Sequence, residues 1–439
     1  MDELLMTRSL FGTTMAFHII FATMGVGLPV IILISEIFYA RTNDLHYSLM
    51  AKRLIRAQAI LLGVAIPSGT IASVQLSLLW PQFMEIVGEV IALPFQMEIF
   101  AFFLEAIFLS IYIYAADKLN TKLRIISVFF VALGAILSAV LITNVHSFEA
   151  TPQGFDVLPD GTITNVDPIA AFFNPSFFIT AYHVVTSALT TVGFIIAGIS
   201  SYFLLKRHHE KTKAFYRKGL RIGMFVGGIF AILTALNGHT AAQMLHTQQP
   251  EKLAAAEGLF ETQSQAPLAI FGVADKETET IKGAIEIPYL LSFLAGNDIN
   301  TVVRGLKEFP EDEWPPLYIH TLFNGMVMIG SFLILLFIVY LIYEKRKKEI
   351  PRFLLGTFIV SGPLAMLSTE FGWIFSCVGR QPWTIYKVQK TSEAATLTGN
   401  IGVFFFLFTA CYVLLLVTTA FVLYRYFKRR PIEQEVMKG

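Results

Sequence analysis

Nine stretches of this chain, near residues 11–38, 55–79, 92–115, 123–146, 176–205, 218–237, 317–343, 352–376 and 398–425, are long and apolar enough to cross a membrane as α-helices. About 20 residues suffice to span roughly 30 Å of hydrocarbon. Lipid offers the backbone no hydrogen-bond partners, so such segments must satisfy their own N–H and C=O groups as helices. Composition agrees: 55% of the 439 residues are hydrophobic, 15% are charged, and the mean hydropathy is +0.62, outside the range of ordinary water-soluble domains. The expected fold is an all-α integral membrane protein with nine transmembrane helices, its main environment the lipid bilayer. A net charge of +1 gives no reason to expect nucleic acid as a partner. The two cysteines, Cys377 and Cys411, cannot form a disulfide framework, and mid-span Cys411 is expected to be plain packing. No basic n-region precedes an apolar run with a cleavage site, so no removable signal peptide is expected.

Basic residues stay on the cytoplasmic side of a membrane. Arg41, Lys52, Arg53 and Arg56 follow the first span, and Lys118, Lys122 and Arg124 the third. Lys206, Arg207, Lys211, Lys213, Arg217 and Lys218 follow the fifth, Lys345–Lys348 the seventh, and Arg425, Lys428, Arg429 and Arg430 the ninth. The N-terminus is therefore expected outside and the C-terminus in the cytoplasm. Segment 147–175 carries Glu149, Asp156, Asp160 and Asp167 without a lysine or arginine, as an external loop should. Three parts follow: helices 1–6 over 1–237, an external loop over 238–316, and helices 7–9 with a cytoplasmic tail over 317–439.

Strongly polar side chains inside a span are costly and point to function. His18 lies in the first span, Glu98 and Glu105 in the third, His183 in the fifth, and Glu370 and Cys377 in or at the end of the eighth. With the expected orientation, His18, Glu98, His183, Met326 and Cys377 all fall toward the outer leaflet. Helices from different parts of the chain would thus bring candidate metal ligands to one depth, as bundles do when they enclose a cofactor. The donor types suit haem iron. Histidine opposite methionine makes a low-spin electron-transfer centre, whereas a single histidine, carboxylate or thiolate leaves one face of the iron open. His183 with Met326 or Met328 suits the first role; His18 and Cys377 suit the second, with Glu98 a further ligand or proton donor.

Glu98 and Glu105 are two helical turns apart and face the same way. Buried carboxyls on one face can pass protons through an apolar bundle. His208 and His209 belong to a basic turn and His46 to a short loop, while His146, His239, His246 and His320 lie near the external boundary. In the long loop, a short helix starting after Pro250 would bring Lys252 and Glu257 near one another at the membrane surface, where they could hydrogen-bond a hydroxyquinone and accept its protons.

The eighth span ends in Gly372-Trp373-Ile374-Phe375-Ser376-Cys377-Val378-Gly379-Arg380-Gln381-Pro382-Trp383. A buried thiol followed by a boundary arginine suits a metal cofactor with acidic side groups, because sulfur ligates iron and guanidinium pairs with carboxylates. The competing reading is that Cys377 only packs, with Glu98 or Glu370 ligating in its place.

Together these residues resemble subunit I of the cytochrome bd-type quinol oxidases over essentially the whole chain. The resemblance rests on His18-Ile19-Ile20, Gln75-Leu76-Ser77-Leu78-Leu79-Trp80-Pro81, Glu98 with Ala101-Phe102-Phe103-Leu104-Glu105, the Gln249-Pro250 to Glu257 stretch, and Gly379-Arg380-Gln381-Pro382-Trp383. It implies that His183 and Met326 ligate a low-spin haem b, Met326 matching the family's Phe-x-x-Met-Val pattern better than Met328. It also implies that His18 holds one active-site haem, that Glu98 and Glu105 lie beside it on the proton route, and that Lys252 and Glu257 serve a quinol loop of the shorter kind. Trp373, Cys377 and Arg380 fall in the stretch that binds a further haem. The implied cofactors are low-spin haem b, high-spin haem b, and haem d or a further haem b. The implied partners are quinol, O2, a second homologous membrane subunit and a small single-helix subunit, in the cell membrane of a prokaryote. Two positions depart from the family: Cys377 stands where a glutamate ligates haem, and His146 where an asparagine is usual.

The expected function is a subunit of a membrane terminal oxidase that oxidises quinol at the outer face and reduces O2 to water with cytoplasmic protons, generating a membrane potential. The alternatives are a haem quinone electron carrier that never meets oxygen, and a multi-pass transporter with a midplane site.

Overall fold

The computed structural model describes residues 3–116, 118–206, 210–396 and 401–437; Arg207, His208 and His209 of the basic turn lie outside the described residues. In chain order the helices are α1 (Glu3–Thr42), α2 (Leu45–Leu79), α3 (Pro81–Val90), α4 (Ala92–Ala115), α5 (Thr121–Ala150), α6 (Pro168–Phe172), α7 (Phe177–Leu205), α8 (Glu210–Gln248), α9 (Pro250–Glu257), α10 (Leu290–Gly296), α11 (Ile319–Lys345), α12 (Arg352–Val378), α13 (Thr391–Ala394), α14 (Ile401–Arg429) and α15 (Ile432–Met437). Among the described residues nine are long and apolar enough to span a membrane, as expected. Among the described residues the two-stranded ladders lie in the connections, Leu268–Ile270 with Ile285–Ile287 and Val273–Asp275 with Thr280–Lys282 being the longest.

Helix ends follow local chemistry. Asp44 caps α2 by accepting from His46 N–H, and Asn120 caps α5 by accepting from Leu123 N–H, satisfying donors that have no intrahelical partner. Pro81 and Pro250 open α3 and α9, positions where a missing N–H costs nothing. Pro81 also pushes Trp80 out of the helical region, and this separates α2 from the short α3 that hydropathy does not foresee.

Several helices outrun their apolar stretches. The sixth, expected over 218–237, occupies Glu210–Gln248, so His239 and His246 sit on helix and the expected loop begins inside it. Once a helix exists, each added residue gains a hydrogen bond at little entropic cost. Hydropathy marks the lipid slab, and the helix continues past it.

Helices α7, α8, α11 and α12 form a closed ring in which each packs on the next and α12 returns to α7. Close approach of α7 and α8 depends on small residues: an added Cβ at Gly193 would lie 2.2 Å from Gly227 N, and one at Gly223 2.6 Å from Ala197 N. This is the small-residue packing that lets membrane helices approach closely. Beside the ring, α1 packs on α2, α5, α7 and α14, and α4 packs on α5. Fully buried Glu36 of α1 accepts from Arg124 of α5 and from Tyr112 of α4, tying three helices at the end of the bundle nearest the basic turns. Cys411, expected to be packed, is exposed instead. Among the described residues its helix α14 packs mainly on α1 and α2, which leaves much of its surface uncovered by this chain.

Candidate functional site

Chain direction alternates around the four-helix ring, so the starts of α7 and α11 meet the ends of α8 and α12. His183 and Met326 lie about two turns into α7 and α11. Cross-helix contacts bring both to that end. His183 Nδ1 is 3.2 Å from Asn237 Nδ2 of α8, which also donates to Ile179 O at 2.9 Å. Met326 Sδ lies 3.0 Å from where a Cβ on Gly372 of α12 would be. Among the described residues His183 Nε2 and Met326 Sδ have no hydrogen-bond partner, so both keep donor atoms available on two helices of the ring.

A second set stands on α1, α2, α4 and α5. His18 Nδ1 is 2.9 Å from Ser68 Oγ. The Ser68 hydroxyl donates to Ala65 O at 2.9 Å, so its oxygen accepts from His18 Nδ1–H and leaves the lone pair on Nε2. A partner on one ring nitrogen fixing the other as ligand is how proteins orient metal-binding histidines. Gly69 makes room for the ring, since its Cβ would meet His18 Cε1 at 3.0 Å. Glu98 accepts from Ser138 at 2.6 Å. Buried Glu105 lies 3.5 Å from Gln58 Nε2, which also donates to Gly25 O at 3.2 Å. Gly134 of α5 lets the Glu105 backbone come close. Gly25 and Glu105 thus share a level. His18 and Glu98 each lie seven residues toward the same end of the bundle, roughly 10 Å away at 1.5 Å per residue. Glu98 and Glu105 form the descending pair the sequence suggests, each held by a different neighbouring helix.

The turn after α12 builds a third set. Buried Arg380 pairs with Glu149 on the last turn of α5. His146 places Nε2 2.7 Å from Ser376 Oγ and Nδ1 3.5 Å from Glu149, with its ring 5.5 Å from that of Trp373. Glu149, read from sequence as part of an acidic loop, is a partner of the arginine at the heart of the motif. The separation of 231 residues hides this pairing from any local pattern. The Cys377 thiol, expected to be buried, is exposed on the surface of this chain. Phe375 takes the buried face of the helix at this level, and Cys377 is turned away from it.

Helix α9 forms as the sequence suggests but is not a solvated surface helix: Glu251 through Glu257 are all buried, between α8 and α11. Lys252 and Glu257 do not meet. Five residues along an α-helix separates them by roughly 140°, and they serve different neighbours. Lys252 Nζ donates to Ser376 O at 2.9 Å, passing Gly379, whose Cβ would come within 2.9 Å of Lys252 Cε. Glu257 Oε2 is buried with no hydrogen-bond partner. Burial, with Arg380 adding to it, lowers the Lys252 ammonium to about 7, and burial raises the Glu257 carboxyl to about 8. Both groups therefore change charge near neutral pH. Nearby His320, fully buried, sets Nδ1 2.8 Å from Ala256 O and Nε2 2.9 Å from Phe271 O, fastening α9 and the first ladder to α11.

Among the described residues no three His, Cys, Asp or Glu side chains gather into a metal cage. Haem iron takes only one or two donors from the protein. The donors available fit that requirement: imidazole nitrogens at His18 and His183, and a thioether at Met326. Arg380 also fits, because its Nε and Nη1 are buried with no hydrogen-bond partner and a carboxylate would complete them.

The chain is similar to known proteins over nearly its whole length. A family model described as cytochrome bd terminal oxidase subunit I matches residues 6–431. A candidate cytochrome bd menaquinol oxidase subunit I of Bacillus subtilis (strain 168) is 58% identical over 439 residues, 99% of each chain. The cytochrome bd ubiquinol oxidase subunit 1 of the same organism is 29% identical over 452 residues, covering 100% of this chain and 94% of that one. The solved bd oxidase of Geobacillus thermodenitrificans matches with a TM-score of 0.93 and 43% identity, over 98% of this chain and 99% of that chain.

Proposed function

From the premise that this chain belongs to the cytochrome bd terminal oxidase subunit I family, we propose that it oxidises quinol at the outer face of a bacterial cell membrane and reduces O2 with protons drawn from the cytoplasm. The chain is a multi-pass membrane protein and a subunit of a terminal oxidase, and its family brings haem as cofactor. Menaquinol is the proposed quinol, on the strength of the relative named for it. A second, homologous subunit and a small single-helix subunit are the proposed partners. The positive-inside distribution of Lys and Arg supports an outer N-terminus.

His183 and Met326 would hold a low-spin haem b through Nε2 and Sδ. The observation that carries this reading is their common level on opposite helices of the four-helix ring. His18 would hold one high-spin haem, of the b or d type, through the Nε2 that Ser68 leaves free, with Glu98 beside it. Cys377 would hold a third, a haem d or a further haem b, with Trp373 beside it and Arg380 pairing a carboxylate of the cofactor. Haem, when bound, supplies the one-electron transfers and the oxygen-binding metal. Lys252 would hydrogen-bond the quinol oxygen and Glu257 would accept a hydroxyl proton, a role supported by its unpaired buried oxygen. Glu105 and then Glu98 would pass protons toward the oxygen site, each as a carboxyl that another helix holds in place. Bond making draws protons from inside and quinol releases them outside, so turnover charges the membrane.

A reduced-minus-oxidised spectrum of the purified complex, with oxygen uptake driven by menaquinol, tests this reading. Low-spin and high-spin haem bands with quinol-driven uptake are expected. Absence of haem bands would sink the oxidase reading, and low-spin bands alone would favour an electron carrier.

A further inference from the structure

Three segments distant in sequence close around one small cavity of about 10 Å³: Gln249, Glu251 and Lys252 at the head of α9, Glu313 and Pro315 shortly before α11, and Arg380 and Tyr386 after α12. That is room for the centre of one water molecule. Residues of its walls carry buried polar atoms without a hydrogen bond, Gln249 Oε1 and Nε and Nη1 of Arg380, together with Glu251 Oε1, which has the Lys387 ammonium at ion-pair distance. A single water donating to the Glu251 oxygen and accepting from Arg380 would complete two of the buried groups at once, which removes the desolvation cost of leaving them unpaired.

Glu251 is 4% exposed, unusual for a carboxylate, and it stands between inside and outside. Its Oε2 accepts from the Tyr386 hydroxyl at 2.5 Å. Its Oε1 lies 3.0 Å from Lys387 Nζ, on a side chain that is 52% exposed. Tyr386 is itself pinned by its backbone N–H to Glu149 O at 2.9 Å. Burial and the adjoining Glu251 carboxylate push the Tyr386 hydroxyl up, so it remains a donor that holds the carboxylate in place. One oxygen of Glu251 is thus fixed, while the other touches both the cavity beside Lys252 and a lysine in solvent.

We propose that Glu251 is the proton outlet of quinol oxidation, a carboxylate that receives hydroxyl protons from the Lys252 side of α9 and releases them to solvent beside Lys387. The inference rests on the reading that Lys252 and Glu257 serve the quinol. As each quinol O–H bond breaks, the electron pair stays on oxygen to form the quinone carbonyl once two electrons have passed to the haem chain. One proton crosses the cavity water to Glu251 Oε1. Glu251 then loses it to water at Lys387, the other hydroxyl proton being accepted by Glu257, so two electrons and two protons leave per quinol.

The test uses the complete oxidase complex with menaquinol and, separately, an artificial electron donor. Glu251→Gln should cut quinol-driven oxygen uptake about 10²-fold, the low end for a lost acid–base group, with the quinol KM unchanged, a larger solvent deuterium effect and an unaltered haem spectrum. Glu251→Asp should restore part of the rate, because the carboxylate returns. Lys387→Gln, a change at an exposed position, should slow quinol turnover less and leave the spectrum intact. Wild-type quinol turnover in Glu251→Gln, or equal loss with both donors, overturns the outlet. Should Glu251→Gln lose its haem spectrum, Lys387→Gln decides: slowed quinol turnover with a raised deuterium effect supports the outlet, and wild-type behaviour overturns it. Failure of the underlying quinol reading looks different, since Lys252→Met and Glu257→Gln would then both oxidise quinol normally.

Discussion

Lys252 Nζ donates to the Ser376 carbonyl at 2.9 Å, joining the buried helix of the long connection to the residue before Cys377. The proposed quinol contact is therefore tied to the residue next to the proposed iron ligand.

The low-spin centre should depend on His183 and Met326. His183→Ala is expected to lose the sharp low-spin band while high-spin haem remains, because methionine alone is a weak iron ligand. Met326→Leu should shift or abolish the same band and Met328→Leu should leave it unchanged. The reverse pattern in optical spectra would move the ligand by two residues.

Glu257 sets a pH dependence. Its carboxyl, raised to about 8 by burial, must be ionised to accept a proton from quinol, so quinol-driven turnover should rise as pH passes through about 8. Glu257→Gln should lower the rate and flatten that limb, while an artificial donor still drives oxygen uptake. The same raised carboxyl favours the folded state at low pH, where both states are protonated. That contribution is lost as pH rises from the ordinary carboxylate range through about 8. Turnover profiles of the two proteins from pH 6 to 9 would be compared, and a Glu257→Gln profile with the wild-type limb would remove the assignment.

Cys377 provides the spectroscopic test. Thiolate donation pushes electron density onto iron, so wild type and Cys377→Ser should differ in their high-spin electron paramagnetic resonance signal and optical bands. An unchanged high-spin signal would show that sulfur never touched the metal.

Arg124 anchors fully buried Glu36, which also accepts from Tyr112. Removing one partner of a buried pair leaves an uncompensated charge and costs about 3–5 kcal/mol. Arg124→Ala should therefore lower the thermal unfolding temperature of the detergent-solubilised complex by several degrees. Replacing Glu36 and Arg124 together should cost less than Arg124→Ala alone.

Much of this molecule was legible along the chain. The nine spans and the helix after Pro250 can be read because hydropathy and proline act locally. Helix ends were less legible, as at Glu210–Gln248, because a helix does not stop where lipid does. The pairing of Arg380 with Glu149 escaped detection, and with it the role of His146 as neighbour to Ser376, since contacts across hundreds of residues leave no periodic trace.

The sequence by itself determined that the chain crosses a membrane as helices and carries soft and imidazole donors suited to haem, since both follow from the transfer energies and chemistry of individual side chains. Tertiary structure alone decided which groups meet. It closed α7, α8, α11 and α12 into a ring, buried Lys252 and Glu257 on different sides of α9, exposed Cys377, and set Glu251 between a water-sized cavity and solvent. These outcomes depend on which helix faces find protein neighbours, a three-dimensional packing choice made by glycine clefts such as Gly193 against Gly227 and by buried polar pairs that must be satisfied together.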